Sequence, residues 1–144
     1  MTSFITREYD YAIRICAYLA GNIKNSPISV ARIAKALYLT RPFTTKIIFK
    51  LRKKNIVGTV QGKEGGIFLN QPPEKLTIFA ILRAMGFNST INECIQNPAI
   101  CPLIATCKIH SFFIQQESII INNFKNTKIA EFAFSNRDLK PMIS

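Results

Sequence analysis

Hydrophobic and polar positions in the first half of the chain alternate with the period of an α-helix in three consecutive stretches. The first covers residues 8–21 and ends at Gly21, a residue suited to a helix C-terminus. The second covers residues 30–37 and follows Ser29, which is expected to cap it. After a tight turn, Thr40 caps the third. Two helices joined in this way predict a helix-turn-helix.

Two short β-prone runs follow the third helix, at residues 56–60 and 66–69. The segment between them, Gln-Gly-Lys-Glu-Gly, is typical of a hairpin turn. A hairpin directly after a helix-turn-helix is the wing of a winged helix. The pair Pro72-Pro73 then ends this part of the chain.

The second half predicts one helix over residues 74–86, an irregular stretch over 87–106 and a long helix from about Cys107 to Phe124. A short amphipathic stretch, residues 129–134, follows. The long helix has more apolar surface than a lone helix can leave in water, so we expect it to pair with a second copy of the chain. Its apolar positions are Ile109, Phe112, Phe113, Ile119, Ile120 and Phe124.

These elements predict a mainly α fold with a small β-hairpin wing. The winged helix-turn-helix occupies residues 1–75. Residues 76–144 supply an irregular loop and a dimerisation helix, and we expect them to form one compact unit with the first helix.

Positive charge is concentrated in the same half as the helix-turn-helix. The chain has a net charge of +11, of which residues 1–75 contribute +9 and residues 76–144 only +2. Such asymmetry favours a polyanionic partner, and double-stranded DNA suits a helix-turn-helix. The candidate DNA contacts are cations and short hydroxyl side chains of the third helix and the wing: Arg41, Thr44, Thr45, Lys46, Lys50, Arg52, Lys53 and Lys63.

Three of the four cysteines cluster with the single histidine in or beside the irregular stretch. Six residues separate Cys94 from Cys101, five separate Cys101 from Cys107, and two separate Cys107 from His110. Three thiolates and an imidazole suit either a tetrahedral zinc site or an iron–sulfur cluster, and the spacing alone does not choose between them. Cys16 lies within the apolar pattern of the first helix and is expected to be a core residue.

Other classes of protein fit the sequence poorly. No apolar run approaches the roughly 20 residues that cross a bilayer, and the N-terminus lacks the apolar stretch of a secretory signal. We therefore expect a cytoplasmic protein that does not enter the membrane. The sequence shows no paired carboxylates, phosphate-binding loop or nucleophile with a neighbouring base, so an enzyme is not expected.

The chain resembles the Rrf family of winged-helix transcription regulators over nearly its whole length. The resemblance rests on residues 10–14 (Asp-Tyr-Ala-Ile-Arg), 51–53 (Leu-Arg-Lys), the wing over 62–69 and the three-cysteine loop. It implies a homodimer that binds a palindromic DNA operator, with paired long helices. It also implies that each cysteine loop lies near the first helix of the other subunit.

The resemblance leaves the fourth cluster ligand open. In IscR-like members a histidine three residues after the last cysteine completes a two-iron cluster, which corresponds to His110 and is the favoured option. In NsrR-like members a first-helix carboxylate completes a four-iron cluster, which corresponds to Asp10, with Glu8 as a weaker candidate. The spacing of six residues between the first two cysteines departs from the commoner five.

The sequence thus predicts a repressor whose DNA affinity is controlled by a cluster that senses redox state, nitric oxide or iron–sulfur status. The alternative is a zinc-stabilised or cluster-free winged-helix protein without redox sensing.

Overall fold

The computed structural model describes residues 3–88, 90–91 and 93–139. Its helices and strands are, in order, α1 (Arg7–Gly21), α2 (Val30–Ala36), α3 (Arg41–Lys53), β1 (Val57–Val60), β2 (Gly66–Leu69), α4 (Ile78–Ala84), α5 (Glu93–Gln96) and α6 (Lys108–Asn126). Short 3-10 turns lie at Ile23–Asn25, Pro98–Ile100, Ile104–Thr106, Ile129–Phe132 and Asn136–Asp138. The predicted mainly α fold with a β-hairpin wing is confirmed.

The predicted capping residues begin the two helices of the helix-turn-helix. The Ser29 hydroxyl accepts a hydrogen bond from the Arg32 backbone N–H at 3.2 Å, and the Thr40 hydroxyl accepts one from Phe43 at 3.3 Å. Between the two helices Tyr38 adopts a positive φ of 56°, and the Leu39 N–H bonds to the Ala34 carbonyl. This tight turn sets the angle at which α3 leaves α2.

The wing is a two-stranded antiparallel hairpin in which Val57 pairs with Leu69 and Val60 with Gly66. The turn passes through Gly62, whose φ of 106° suits glycine. At its base, Ile67 bridges to Ile28 ahead of α2. The wing is therefore fixed to the helix-turn-helix and projects beside α3.

The fourth helix is shorter than the predicted range of 74–86. It starts only after Thr77, whose hydroxyl accepts from the Ala80 N–H, and its first N–H, from Ile78, bonds to Thr127 instead of a helical carbonyl. The helix packs against α1, α3 and α6. It therefore connects the winged helix to the long C-terminal helix.

Residues 127–139 contribute more to the fold than their short amphipathic pattern predicts. Ile129 is completely buried, and the Phe134 N–H bonds to the Ala17 carbonyl of α1. A Cβ at Gly21 would lie 2.0 Å from the Phe134 carbonyl oxygen, so only glycine allows this approach. The C-terminal segment thus packs on α1, against the end of the helix that contains Ala17 and Gly21.

The long helix α6 has no buried residue in this single chain. Its apolar side chains include Ile109 at 66% exposure and Phe112 at 52%. Ahead of it, the stretch predicted to be irregular contains the short helix α5 and two 3-10 turns. Within the described residues, no helix has both the length and the apolar character needed to cross a membrane.

Candidate DNA interface and cysteine–histidine site

The outward face of α3 is polar and basic, and the wing continues it. Most predicted DNA contacts have exposed side chains there, namely Arg41, Thr45, Lys46, Arg52, Lys53 and, at the turn of the wing, Lys63. The opposite face, with Ile47, Ile48 and Leu51, is buried in the core. Helix α3 therefore has the amphipathic form of a recognition helix, with its cations available to a polyanion.

Thr44, which was predicted to contact DNA, does not lie on this open face. The residue is 0% exposed, and its hydroxyl donates to the Thr40 carbonyl at 2.8 Å. A threonine can satisfy its hydroxyl on the preceding helical turn, which lets it face the core like an apolar residue.

Glu8 of α1 holds two of the predicted DNA-contacting lysines. Its carboxylate lies 3.1 Å from the Lys46 Nζ and also accepts a hydrogen bond from Lys50, while its side chain is only 18% exposed. Partial burial favours the neutral acid, but the hydrogen bonds from Lys50 and Lys46 outweigh it and keep the pKa of Glu8 below its ordinary value. Glu8 is therefore charged at neutral pH and competes with phosphate for both lysines.

Glu8→Gln is expected to raise affinity for random-sequence duplex DNA about fivefold at low salt, because removing the carboxylate charge leaves Lys46 and Lys50 available to phosphate. The dependence of log affinity on log salt should steepen by up to about 2 per chain. Fluorescence anisotropy over a potassium chloride series measures both quantities. The control is Glu74→Gln, which makes the same charge change at an exposed residue outside α3 and the wing. Equal salt slopes in the two variants would show that Glu8 does not compete with DNA.

The cysteine–histidine site forms where α5 meets the first turn of α6. Cys107 is the N-cap of α6, and its Sγ accepts a hydrogen bond from the His110 backbone N–H at 3.4 Å. The Cys94 Sγ, on α5, lies 3.2 Å from the His110 Nδ1. All three residues are half-buried. The structure therefore brings the Cys94 thiol to the predicted imidazole and the Cys107 thiol to the backbone of the same histidine.

Cys101 is half-buried in the segment that joins two 3-10 turns, Pro98–Ile100 and Ile104–Thr106. The four cysteines all lie in the described part of the chain, and no disulfide joins them. Among residues 3–88, 90–91 and 93–139, no three His, Cys, Asp or Glu side chains are grouped so that they could hold a metal ion. The thiol and imidazole donors fit zinc or an iron–sulfur cluster chemically. Because these side chains are not so grouped here, holding a metal or cluster requires them to rearrange.

The carboxylate candidates are engaged elsewhere in this chain. Both carboxylate oxygens of Asp10 accept from the Arg14 Nε at 3.1 Å, and Glu8 is paired with the lysines of α3. Either one would have to give up these partners to bind a metal.

Two features of the candidate interface were not expected from the sequence. The Glu8 pairing joins residues 42 positions apart, so local patterns do not show it. Phe49 is 59% exposed on the open face of α3. A helical projection of the sequence could have predicted this exposure, since Phe49 lies four residues after Thr45 and off the buried stripe.

A winged helix with a basic recognition helix and a C-terminal cysteine–histidine site defines a class of DNA-binding regulators. Residues 5–134 match the Rrf2 family, described as iron-dependent transcriptional regulators, and the chain belongs to this family. It is therefore a transcriptional regulator and not an enzyme, and family membership implies DNA binding. The predicted resemblance is confirmed.

A relative agrees with this assignment in sequence, and two solved structures agree in fold. The HTH-type transcriptional regulator NsrR of Halalkalibacterium halodurans is 32% identical over 107 residues, which cover 69% of this chain and 73% of the relative. The structure of CymR, the global cysteine regulator of B. subtilis, has a TM-score of 0.76 at 20% identity and covers 93% of this chain and 100% of that chain. That of T. potens IscR has a TM-score of 0.69 at 20% identity, with coverages of 88% and 83%.

Proposed function

We propose that the protein is a homodimeric repressor in the cytoplasm whose affinity for a palindromic operator depends on an iron–sulfur cluster. The observation that carries the proposal is the contact between Cys94 and His110 beside the Cys107 cap of α6. Cys94, Cys101 and Cys107 would hold the cluster, with His110 favoured over Asp10 as the fourth ligand. Bound there, a two-iron cluster, or a four-iron one, would supply a centre that reacts with oxidants and nitric oxide.

The path from this site to DNA runs through packed helices. Helix α5 packs on α6, α6 on α4, and α4 on both α1 and α3. A rearrangement of the cysteine loop therefore has a continuous route to the recognition helix. Such a route supports a population shift between two arrangements of α3 in the dimer, only one of which matches the operator.

Anaerobic purification tests the cofactor directly. The proposal expects a coloured protein with visible absorbance and with iron and acid-labile sulfide in equal amounts, about two of each per chain for a two-iron cluster and about four for a four-iron cluster. A colourless protein that contains zinc and no sulfide would instead establish the zinc-stabilised alternative. A protein without either metal would contradict a resident cofactor.

Substitutions on α3 and the wing are expected to have different effects on DNA binding. Arg41→Ala and Thr45→Ala should reduce discrimination between the operator and random DNA, by about tenfold for a lost base contact. Lys63→Ala should weaken binding to both nearly equally and reduce the salt slope by about 1 per chain. Anisotropy titrations with both duplexes measure these effects. Equal loss of specificity in all three variants would contradict this division between helix and wing.

A further inference from the structure

Phe49 is the exception on the polar and basic open face of α3. Within α3, which is described throughout, it is the one large apolar side chain that is mostly exposed, at 59%. The other exposed residues of the helix are Arg41, Pro42, Thr45, Lys46, Arg52 and Lys53. A single exposed apolar residue is common on protein surfaces, so exposure alone assigns no role to Phe49. The residues next to Phe49 on the helix surface do indicate a role.

Phe49 lies on one line with two predicted DNA contacts, four residues after Thr45 and four before Lys53. The Lys53 ammonium is 5.4 Å from the centre of the Phe49 ring. This cation–π contact favours a ring position along the helix surface. The side chain is therefore presented between a hydroxyl that can approach bases and a cation that can bind phosphate.

One base feature of the major groove matches an apolar ring. Each base pair presents hydrogen-bond donors and acceptors there, and only thymine adds an apolar group, the C5 methyl. A phenylalanine on the open face of a helix in the groove cannot hydrogen-bond to base edges, but it can cover that methyl. Covering it also removes apolar ring surface from water.

We propose that Phe49 is a specificity-determining residue that packs against a thymine C5 methyl in each half-site of the operator. The proposal rests on the proposed role of α3 in binding DNA and adds the base that this helix selects. It predicts a preference for an A·T pair at a fixed position, next to the position contacted by Thr45. The Lys53 contact orients the ring for this packing.

The test starts with selection of duplexes from a random-sequence library by the full-length, anaerobically purified protein. Each thymine of the selected site is then replaced by deoxyuridine, which removes only the methyl group. At one position per half-site, this change should weaken wild-type binding about fourfold for each half-site changed, the effect of losing one buried methyl. Phe49→Ala should bind the thymine site about as weakly as wild type binds the site with uracil in both half-sites, and should not distinguish the two.

Two controls keep the result specific. Phe132→Ala removes another half-exposed phenylalanine, in the 3-10 turn Ile129–Phe132, and should keep the wild-type response to uracil. Phe49→Ala should retain the circular dichroism spectrum and the random-sequence affinity of the wild type, because its phosphate contacts are intact.

The proposal is overturned if no uracil substitution weakens wild-type binding, or if Phe49→Ala keeps the wild-type sensitivity. It is also overturned if Phe49→Ala binds the operator normally but alters the sedimentation of the protein, which would assign the ring to a protein contact. In these outcomes DNA binding by the wild type persists, so the proposed function stands. Failure of the wild type to bind any selected duplex would reject both.

Discussion

Replacement of Cys94, Cys101 or Cys107 by alanine is expected to abolish stable cluster binding. Losing one of three thiolates leaves the iron open to solvent and oxidant, and neighbouring residues offer no replacement thiol. The measurements are iron, sulfide and visible absorbance of each anaerobically purified variant. Cys16→Ala is the matched control, because Cys16 is completely buried in the core, and burial raises the pKa of its thiol far above the ordinary value. This variant should keep the wild-type spectrum.

The same variants should remain folded but change their affinity for the operator. The core that contains Ile15, Ile33, Ile47 and Leu82 does not include the cysteine loop, so circular dichroism should be unchanged. Operator affinity should differ from that of the cluster-loaded protein by about tenfold or more, a typical coupling between two sites. If the triple cysteine variant and the reconstituted wild type bind one operator equally well, the loop is not the switch.

The fourth ligand can be identified in the same set of experiments. Only the true ligand should alter the visible spectrum strongly, and we favour His110→Ala over Asp10→Ala. The contact of His110 with Cys94 supports this choice, whereas Asp10 is held by Arg14. A spectrum that changes only in Asp10→Ala would assign the fourth ligand to the first helix.

Local signals in the sequence predicted most of the winged helix. Ser29 and Thr40 satisfy N–H groups at the starts of their own helices, and Gly62 lies at the turn of the wing, so neighbouring residues carry this information. The packing of residues 127–139 on α1 could not be predicted in this way. It joins Phe134 to Ala17, which are far apart in sequence, and its fit depends on the absence of a side chain at Gly21.

The candidate sites likewise contain some features that neighbouring residues predict and others that depend on the fold. The apolar stripe of α3 identified its exposed basic face, but it placed Thr44 there because the pattern counts hydroxyl residues as polar. The self-satisfied hydroxyl of Thr44 depends on three-dimensional geometry. Cys107 and His110 lie three residues apart at the start of one helix, so their proximity is local in sequence. Cys94 reaches them through the α5–α6 contact, which spacing alone does not give.

The final prediction concerns the uncovered apolar face of α6. In one chain, Phe112 packs its ring against Phe113 with centroids 5.4 Å apart, and both Phe112 and Ile119 are about half exposed. A face of this kind is expected to be covered by the same helix of a second copy. In a two-fold symmetric dimer each residue of the interface occurs twice, so one substitution introduces two changes.

Phe112→Glu should therefore convert the proposed dimer into a monomer at micromolar concentration. Burying an unpaired charge costs about 2 kcal/mol or more, and the two copies together should weaken association about a thousandfold. Sedimentation velocity should show a shift towards the mass of one 16.3 kDa chain. Ser118→Glu, which adds the same charge at an exposed polar position of α6 away from the line of Phe112 and Ile119, is the control and should remain dimeric.

Loss of the dimer should also separate operator binding from half-site binding. A monomer has one recognition helix and one wing, so Phe112→Glu should bind an isolated half-site as the wild-type subunit does. It should lose the large gain in affinity that two linked contacts provide on the full palindrome. Since α3 and the wing are built independently of the exposed face of α6, this loss would not reflect misfolding. A monomeric variant that binds the full operator as tightly as the wild type would show that α6 does not join the two DNA-binding units.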